Sequence, residues 1–342
     1  MDKWNNFVNT CEMGVIYQTW DWGNIMMRLH KWTPNVLVFE QDNQIVAGAM
    51  IAYKKIPFLG KTVVKIPRGF VWKEPRNKEL IVSLLEAARH FTQSVSGTYC
   101  SFGIYLPYKI NGGLCEKSQS IDSLILENKK ISRYPREDGG GTYWVDLTQS
   151  EDEIFKKYNT HNKRQIKKAV NLGVTIKSSY DTDLVNLFYD YYTKTFTRKG
   201  LSPSVRAYFD KGARILIKNQ KCRIFYAEYQ QQILNLAIIS LIGTPRYLWG
   251  ACSLEEDKPD APPTGHLLHW EVIKWLKSQQ YKRYDFGGSP GYIPQPGHPN
   301  YGVWRFKKGF GGDFIEFLET YEYVLDEKLY WVYRKMLPFY KK

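Results

Sequence analysis

Cysteine is scarce in this chain and is not arranged for a structural role. There are five cysteines, no two of them form a CxxC pair, and no Cys/His cluster has zinc spacing. The odd number and the spacing exclude a complete disulfide framework and fit a reducing compartment. Long apolar runs are also missing, since none approaches the roughly 18 residues that a membrane span requires. The first residues lack the basic and apolar regions of a signal peptide, so we expect a cytoplasmic protein that can work at the inner face of the membrane.

Acidic residues are also fewer than basic ones. Lysine and arginine number 48 against 34 aspartates and glutamates, which gives a formal net charge of +14. Solubility alone needs a net charge of about 2–8 in a small domain. The excess therefore predicts a polyanionic partner, which can be a nucleic acid, nucleotide phosphates or an anionic lipid surface. A hydrophobic share of 43% excludes a disordered protein, and 342 residues suit two domains.

Several common catalytic signatures are absent as well. The chain has no P-loop, Rossmann glycine fingerprint, GxSxG or HExxH. After the segment RYLWGACS it continues as LEEDKPDAPPTGH, without the glycine turn whose N–H groups bind the pyrophosphate of acetyl-CoA. We therefore expect no acetyl-CoA, no metal and no other cofactor.

The pattern of apolar residues predicts a mixed α/β protein in which the second half repeats the order of the first. Each half has a hairpin and a further strand, then a helix, then a strand. Ser150 and Glu153 have capping-box spacing, so one helix is predicted over 151–172, ended by Gly173. The other predicted elements are strands within 36–71, a helix at 77–95, strands at 99–106 and 142–147, helices at 183–199 and from 202, a three-strand meander over 222–253, a helix at 266–280, strands at 281–286 and 314–323, and a last helix from 326.

Two segments carry the most distinctive residues. The first, Tyr143–Val174, is a strand followed by a basic helix that contains the run RQIKKA at 164–169. The second, Asp285–Gly312, begins DFGG, continues as a long Gly/Pro loop and ends in RFKKGFGG. Together they resemble the FemABX family of peptidyltransferases, which move an amino acid from aminoacyl-tRNA onto the stem peptide of a peptidoglycan precursor.

The resemblance implies a fold of two tandem GNAT-like domains, the acyl-CoA N-acyltransferase fold. The expected domains are 1–148 with the C-terminal helix at 317–342, and 149–316. The sequence lacks the sustained heptads of a coiled-coil arm, so none is expected here.

The resemblance also implies catalytic residues. Lys307, next to Phe306, matches the family's F-K lysine, which is implicated in stabilising the oxyanion of the tetrahedral intermediate. Asp285 can orient an amine or accept its proton, or it can simply bind loop N–H groups. The acid that often precedes a proline in the first domain is replaced here by Leu106 before Pro107. The identity of the general base therefore stays open.

Basic residues are the expected binding groups. Along the helix at 151–172, cationic side chains can follow a tRNA backbone or can be an ordinary solvated face; the candidates are Lys163, Arg164, Lys167 and Lys168. For the phosphates of the precursor or the nucleotide, the candidates are Arg28, Arg68, Arg206, Tyr208 and Arg305.

The resemblance thus implies a monomeric aminoacyltransferase whose donor is aminoacyl-tRNA. Its acceptor is lipid II or UDP-MurNAc-pentapeptide, and its product is the interpeptide bridge. A second hypothesis keeps the fold but transfers an acyl or aminoacyl group to a polysaccharide, lipid or protein. A third is a non-enzymatic RNA-binding protein. The sequence does not decide the amino acid or the acceptor.

Overall fold

The computed structural model describes residues 1–73, 78–134, 141–198, 200, 202–254, 260–295 and 297–340. Part of the acidic segment after the meander, 255–259, lies outside these residues. Contacts divide the chain into two compact units. The first comprises Met1–Asp138 with Glu316–Lys342, and the second comprises Gly139–Ile315.

The first unit is a sheet covered by helices. Its strands run in the spatial order β1-β2-β3-β5-β16-β8, with β4 beside β2, and only the β3–β5 pair is parallel among the pairings described. The elements before the second unit are α1 (Asp2–Thr10), a 3₁₀ turn (Ile16–Gln18), α2 (Trp20–His30), β1 (Thr33–Gln41), β2 (Gln44–Lys55), β3 (Thr62–Ile66), β4 (Val71–Trp72), α3 (Lys78–Ser94), β5 (Gly97–Phe102), β6 (Pro107–Ile110), β7 (Gly113–Leu114), α4 (Glu116–Leu126) and β8 (Ile131–Tyr134).

The second unit has strands in the order β10-β11-β12-β13-β14-β9-β15. The predicted meander is confirmed, since β11, β12 and β13 are successive antiparallel neighbours. The elements are β9 (Gly141–Asp146), α5 (Glu151–Lys156), α6 (Thr160–Asn171), β10 (Thr175–Ser179), α7 (Leu184–Arg198), α8 (Arg206–Tyr208), a π turn (Phe209–Ala213), α9 (Arg214–Lys218), β11 (Cys222–Tyr229), β12 (Gln232–Ser240), β13 (Arg246–Cys252), α10 (Thr264–Ser278), β14 (Arg283–Ser289), α11 (Tyr301–Lys308) and β15 (Asp313–Phe317).

The chain then returns to the first unit through β16 (Thr320–Val324) and α12 (Glu327–Tyr340). The single strand predicted over 314–323 is therefore wrong, because β15 and β16 belong to different sheets. The division between the units also falls before the expected boundary at 148, because β9 pairs with β14 and β15 of the second unit.

The helix predicted over 151–172 is in fact two helices. The capping box is present, with the Ser150 N–H donating to Glu153 Oε2 at 2.8 Å. The chain leaves the helix after Lys156, however, and Asn159 begins a second one by accepting a hydrogen bond from the Asn162 N–H at 2.7 Å. An asparagine at an N-cap competes well with continued helix, so the break follows from local chemistry.

Each unit has its own apolar core. In the first, Leu84 and Ala88 of α3 pack with Ile51 of β2 and with Tyr321 of β16. In the second, the buried face of α6 packs with α10 and the central strands; its members include Ile166, Ala169, Leu268, Val272, Phe286 and Phe314. Within the described ranges, no helix combines the length and apolarity needed to cross a bilayer.

Candidate active site

The two distinctive segments meet in the second unit. The Asn159 N–H at the start of α6 donates to the Gly309 carbonyl at the end of α11, at 3.0 Å. The Asn162 amide lies 3.5 Å from the Phe306 carbonyl. A side-chain carbon at Gly309 would come within 2.5 Å of the Asn162 amide, so only glycine permits this approach. The basic helix α6 is thus hydrogen-bonded to α11, the helix that carries Lys307.

The end of β14 forms the floor of the candidate site. Strands β13 and β14 run parallel and pair at Arg246 and Asp285. The register of β14 against β9 then shifts between Asp285 and Gly288, which is a β-bulge. Gly287 has φ +73°, and a side-chain carbon there would lie 2.6 Å from the Tyr247 carbonyl. The DFGG sequence is therefore a bulge that needs glycine.

Asp285 holds this bulge together. Its side chain is completely buried, pairs with the Arg246 guanidinium and accepts a hydrogen bond from the Thr142 hydroxyl. It also accepts from the Gly287 N–H at 2.7 Å. A carboxylate with these donors and no exposed surface is poorly placed to take a proton from a substrate. Of the two roles predicted for Asp285, this geometry favours the binding of loop N–H groups, which positions the bulge.

Lys307 is brought to the bulge by α11. The ammonium donates to the Gly288 carbonyl at 2.6 Å and lies 5.8 Å from the centroid of the Tyr247 ring. Lys307 is only 6% exposed, so its ammonium is shielded from solvent. Gly288 itself is exposed, and among the described residues a side-chain carbon built there would meet no atom within 4 Å. The buried cation thus binds the carbonyl of an exposed residue.

The surroundings of Lys307 lower the pKa of its ammonium group. Burial lowers the pKa of Lys307 to about 7, and the positive charge of Arg246 acts in the same direction. The carboxylate of Asp285 raises that pKa and opposes part of the effect. Desolvation and a nearby like charge are the two general causes of a lowered lysine pKa. Strongly shifted groups of this kind concentrate at functional sites.

Phe306 packs on the opposite side of α11. Its ring contacts those of His266, His269 and Phe310, with centroids 4.9, 5.5 and 5.2 Å away. Burial lowers the pKa of His269 to about 3, and the charge of Lys307 adds to this effect. The ring is therefore neutral, and its Nδ1 lies 2.9 Å from the Tyr284 hydroxyl. Phe306 fixes the orientation of α11, and through it that of Lys307.

The residues predicted to bind tRNA lie on α6, but not all of them are equally available. Arg164, Lys167 and Lys168 are exposed. Lys163 is half-buried, and its ammonium donates to the Lys156 carbonyl at 2.8 Å. Lys163 therefore closes the C-terminal end of α5, while the other three face solvent.

The remaining predicted binding residues of the second unit fall into two places. Tyr208 packs edge-on against Trp249 of β13, with centroids 5.6 Å apart. Arg206 is held by Asp210 and by the Asn186 side chain, and it stacks on the Tyr189 ring. Tyr208 therefore adjoins the strand that carries Tyr247, whereas Arg206 contacts α7 and the π turn.

The other place is the exposed side of α11. Arg305 is exposed there. Lys308 is also exposed and lies over the Trp304 ring, 4.7 Å from its centroid. The two neighbouring lysines of the FKK run therefore have opposite environments, since Lys307 is buried and Lys308 faces solvent.

In the first unit, Arg68 occupies a constrained turn. It has φ +58°, and its guanidinium lies 5.3 Å from the Tyr17 ring centroid and 5.8 Å from that of Tyr105. The buried Gln18 side chain donates to the Arg68 carbonyl at 3.2 Å. Arg28 is exposed on α2. The Gln18 contact therefore supports the turn that carries Arg68.

Sequence reasoning missed three residues of the site in the second unit: Thr142, Arg246 and Tyr247. None of them lies in a motif, and only the pairing of β9, β13 and β14 brings them together. As for metals, the described part of the chain has no group of three or more His, Cys, Asp or Glu side chains arranged to hold an ion.

The fold and site define a class: a two-unit α/β protein with a buried lysine at a bulged strand end. The profile of the FemAB family matches residues 135–239 and 250–337. The chain belongs to the FemAB family, and the predicted family is confirmed.

Individual relatives agree with this assignment. Lipid II:glycine glycyltransferases of Staphylococcus aureus, from strains RF122 and COL among others, are 21% identical over 401 residues, covering 97% of this chain and 93% of theirs. That alignment is longer than this chain of 342 residues, so the relatives carry residues that this chain lacks. The chain is an acyltransferase, as the enzyme prediction stated.

Solved structures show the fold. The crystal structure of FemX superposes with a TM-score of 0.85 at 19% identity, covering 97% of both chains. The C-terminal domain of a putative lysylphosphatidylglycerol synthetase from Agrobacterium fabrum gives 0.55 at 13% identity, covering 98% of this chain and 95% of that one. The predicted class, two tandem GNAT-like domains, is confirmed.

Proposed function

We propose that the protein transfers an amino acid from aminoacyl-tRNA to the stem-peptide amine of a peptidoglycan precursor. Family membership and relatives that are named lipid II:glycine glycyltransferases support this acceptor class. The observation that carries the proposal is the buried Lys307 ammonium, which binds the carbonyl of the exposed Gly288. The chain's net charge of +14 supports a polyanionic donor.

The reaction requires stabilisation of one negative charge. The neutral amine nitrogen of the acceptor bonds to the carbonyl carbon of the aminoacyl ester, and the carbonyl oxygen becomes an oxyanion. Collapse of this intermediate breaks the bond to the ribose oxygen and leaves an amide. The proton that the amine loses ends on the departing ribose hydroxyl. A preorganised cation beside the oxyanion is worth most where water is excluded.

Lys307 can supply that cation. An ammonium has three N–H donors, and the Gly288 carbonyl takes one of them. An ester carbonyl placed beside the exposed Gly288 would lie within reach of another. The Asp285 network fixes the bulge and hence the direction of the Gly288 carbonyl, so the ammonium is positioned before substrate arrives.

The exposed cations of α6 provide a surface for the tRNA backbone. No acidic residue occurs between 154 and 174, so the lysines and arginines of this segment are not neutralised within it. Asn159 and Asn162 fasten α6 to α11. Phosphates bound at Arg164, Lys167 and Lys168 would thus be held by the same rigid group of helices as Lys307.

A direct assay tests the proposal. Purified protein is incubated with individually charged tRNAs and with either lipid II or UDP-MurNAc-pentapeptide, and the products are analysed by mass spectrometry. The expected product is an acceptor heavier by one or more amino-acid residues, formed only with charged tRNA. Binding of tRNA without deacylation would instead support a non-enzymatic RNA-binding protein. Deacylation with transfer to another added acceptor would contradict the peptidoglycan assignment.

A further inference from the structure

The loop between β2 and β3 carries a fully exposed aromatic side chain. The hairpin closes with a 2.8 Å hydrogen bond from the Ile56 N–H to the Lys61 carbonyl. At the tip, Phe58 is fully exposed (102%) and has φ +65°. A positive φ is unusual for a bulky residue, and an exposed phenylalanine forgoes the free energy of burial. The loop presents an apolar ring to the surroundings at a cost to the folded chain.

Positive charge surrounds this ring. Lys54 and Lys55 end β2 and are both exposed, and Lys61 begins the return. No acidic residue occurs between 52 and 63. Successive strand residues point to opposite faces, so Lys54 and Lys55 place cations on both sides of the hairpin. An aromatic ring among lysines suits the headgroup region of a bilayer that contains anionic lipids.

A second exposed apolar site lies beside the same loop. Leu59 of the loop and Tyr330 and Tyr333 of α12 pack against one small cluster formed by Ile56, Val63 and Tyr99. On the outer side of α12, Trp331 is 63% exposed and Val332 is 46% exposed. The exposed Lys328 and Lys335 lie one turn before and one turn after them. The helix therefore repeats the arrangement of apolar side chains between lysines.

We propose that the β2–β3 loop and the outer side of α12 form a membrane-docking surface for an anionic lipid bilayer. Phe58 enters the headgroup layer, and the lysines bind the anionic headgroups. The aliphatic members of the surface, Leu59 and Val332, favour lipid over RNA, since they offer nothing for base stacking. The inference rests on the proposed function in one respect, which is that a lipid-linked acceptor lies in such a bilayer.

Vesicle binding tests the surface independently of activity. The full chain is sedimented with vesicles of phosphatidylcholine alone or mixed with phosphatidylglycerol. We expect binding to the anionic vesicles, a loss of about tenfold in affinity for Phe58→Ser, and retained binding for Phe58→Trp. Changing Lys54, Lys55 and Lys61 together to Gln should cost on the order of fivefold per lysine.

The control is Ile293→Ser, which removes a side chain of the second unit that is also well exposed (69%) and should leave vesicle binding unchanged. Equal binding of the wild type and Phe58→Ser, or equal binding to neutral and anionic vesicles, would overturn the proposal. So would a triple lysine variant that lost affinity for tRNA but not for vesicles. Melting curves establish that the variants are folded.

Activity then separates this inference from the proposed function. Phe58→Ser should keep its turnover on UDP-MurNAc-pentapeptide and lose turnover only on lipid II in vesicles. An equal loss on both acceptors would count against docking. A wild type that transfers to neither acceptor would refute the proposed function, and the vesicle experiment would still decide the docking surface.

Discussion

Lys307 shows how a single residue can be unfavourable for the folded state and useful in the site. Its pKa is about 7 in the folded chain and 10.5 as the ordinary value. Between these values the unfolded chain binds more protons, so this residue makes stability rise with pH from about 7 to 10.5. Below pH 7 the cost of the buried charge is fully present. Lys307→Met removes that cost together with the hydrogen bond to the Gly288 carbonyl, so a melting curve of the variant must accompany its activity measurement.

The first prediction concerns turnover. Lys307→Met retains much of the stem's packing and removes the charge, so turnover should fall about 10²–10³-fold with little change in acceptor binding. Steady-state kinetics with charged tRNA measure this. Lys308→Met is the matched control and should be much milder, because Lys308 is exposed over the Trp304 ring. Near-normal turnover of Lys307→Met, or an inactive Lys308→Met, would show that Lys307 is not the catalytic lysine of this motif.

The second prediction uses pH to identify the role of Lys307. As the cation of an oxyanion site it is active when protonated, and it loses its proton as pH rises through about 7. The ratio of wild-type to Lys307→Met turnover should therefore fall between pH 6 and 9. Ionisation of the substrate amine affects both enzymes and cancels in this ratio. A ratio that rises with pH would indicate that neutral Lys307 acts as a general base.

At the scale of helices and strands, the sequence predicted many of the regular elements but not α1, α2 and α4, and it missed the interruptions near the site. The helix predicted at 77–95 is α3, since Leu84, Leu85 and Ala88 form one buried stripe. The break at Asn159 was missed because apolar residues continue on both sides of it. The helix at 301–308 was not predicted, because the sequence just before it is rich in glycine and proline. These interruptions matter for the site, since they place Asn159, Asn162 and Lys307 together.

The third prediction concerns α6. Changing Arg164, Lys167 and Lys168 together to Gln should weaken tRNA binding and reduce the log–log salt slope by about one unit for each lost phosphate contact. The comparison variant changes the exposed Lys211, Lys218 and Lys282 to Gln, an equal loss of charge elsewhere on the second unit. Filter binding over a salt series measures both. If the two variants had equal salt slopes, α6 would not bind tRNA. Its basic residues would then form an ordinary solvated helix surface.

At the scale of the whole molecule, the first unit is built from two distant stretches of the chain. The resemblance implied the return of the C-terminus, but residue patterning alone joined β15 and β16 into one strand. The physical reason is that the segment Phe314–Val324 has neither glycine nor proline to mark a turn, and apolar residues recur between its three glutamates along the whole segment. Only the pairing partners distinguish the strands, because β16 lies between β5 and β8 while β15 lies beside β9.

The last prediction follows from this discontinuity. A chain ended after Ile315 loses β16, with its hydrogen bonds to β5 and β8 and the buried rings of Tyr321 and Tyr323. Such losses exceed what a marginally stable domain tolerates. Hydrogen exchange should then show lost protection in β5 and β8 and retained protection in β11–β13 of the second unit. The control ends after Leu325, which keeps β16 and removes only α12, and it should preserve the protection of β5. If the shorter chain protected β5 as the full chain does, the first unit would not depend on its C-terminal strand.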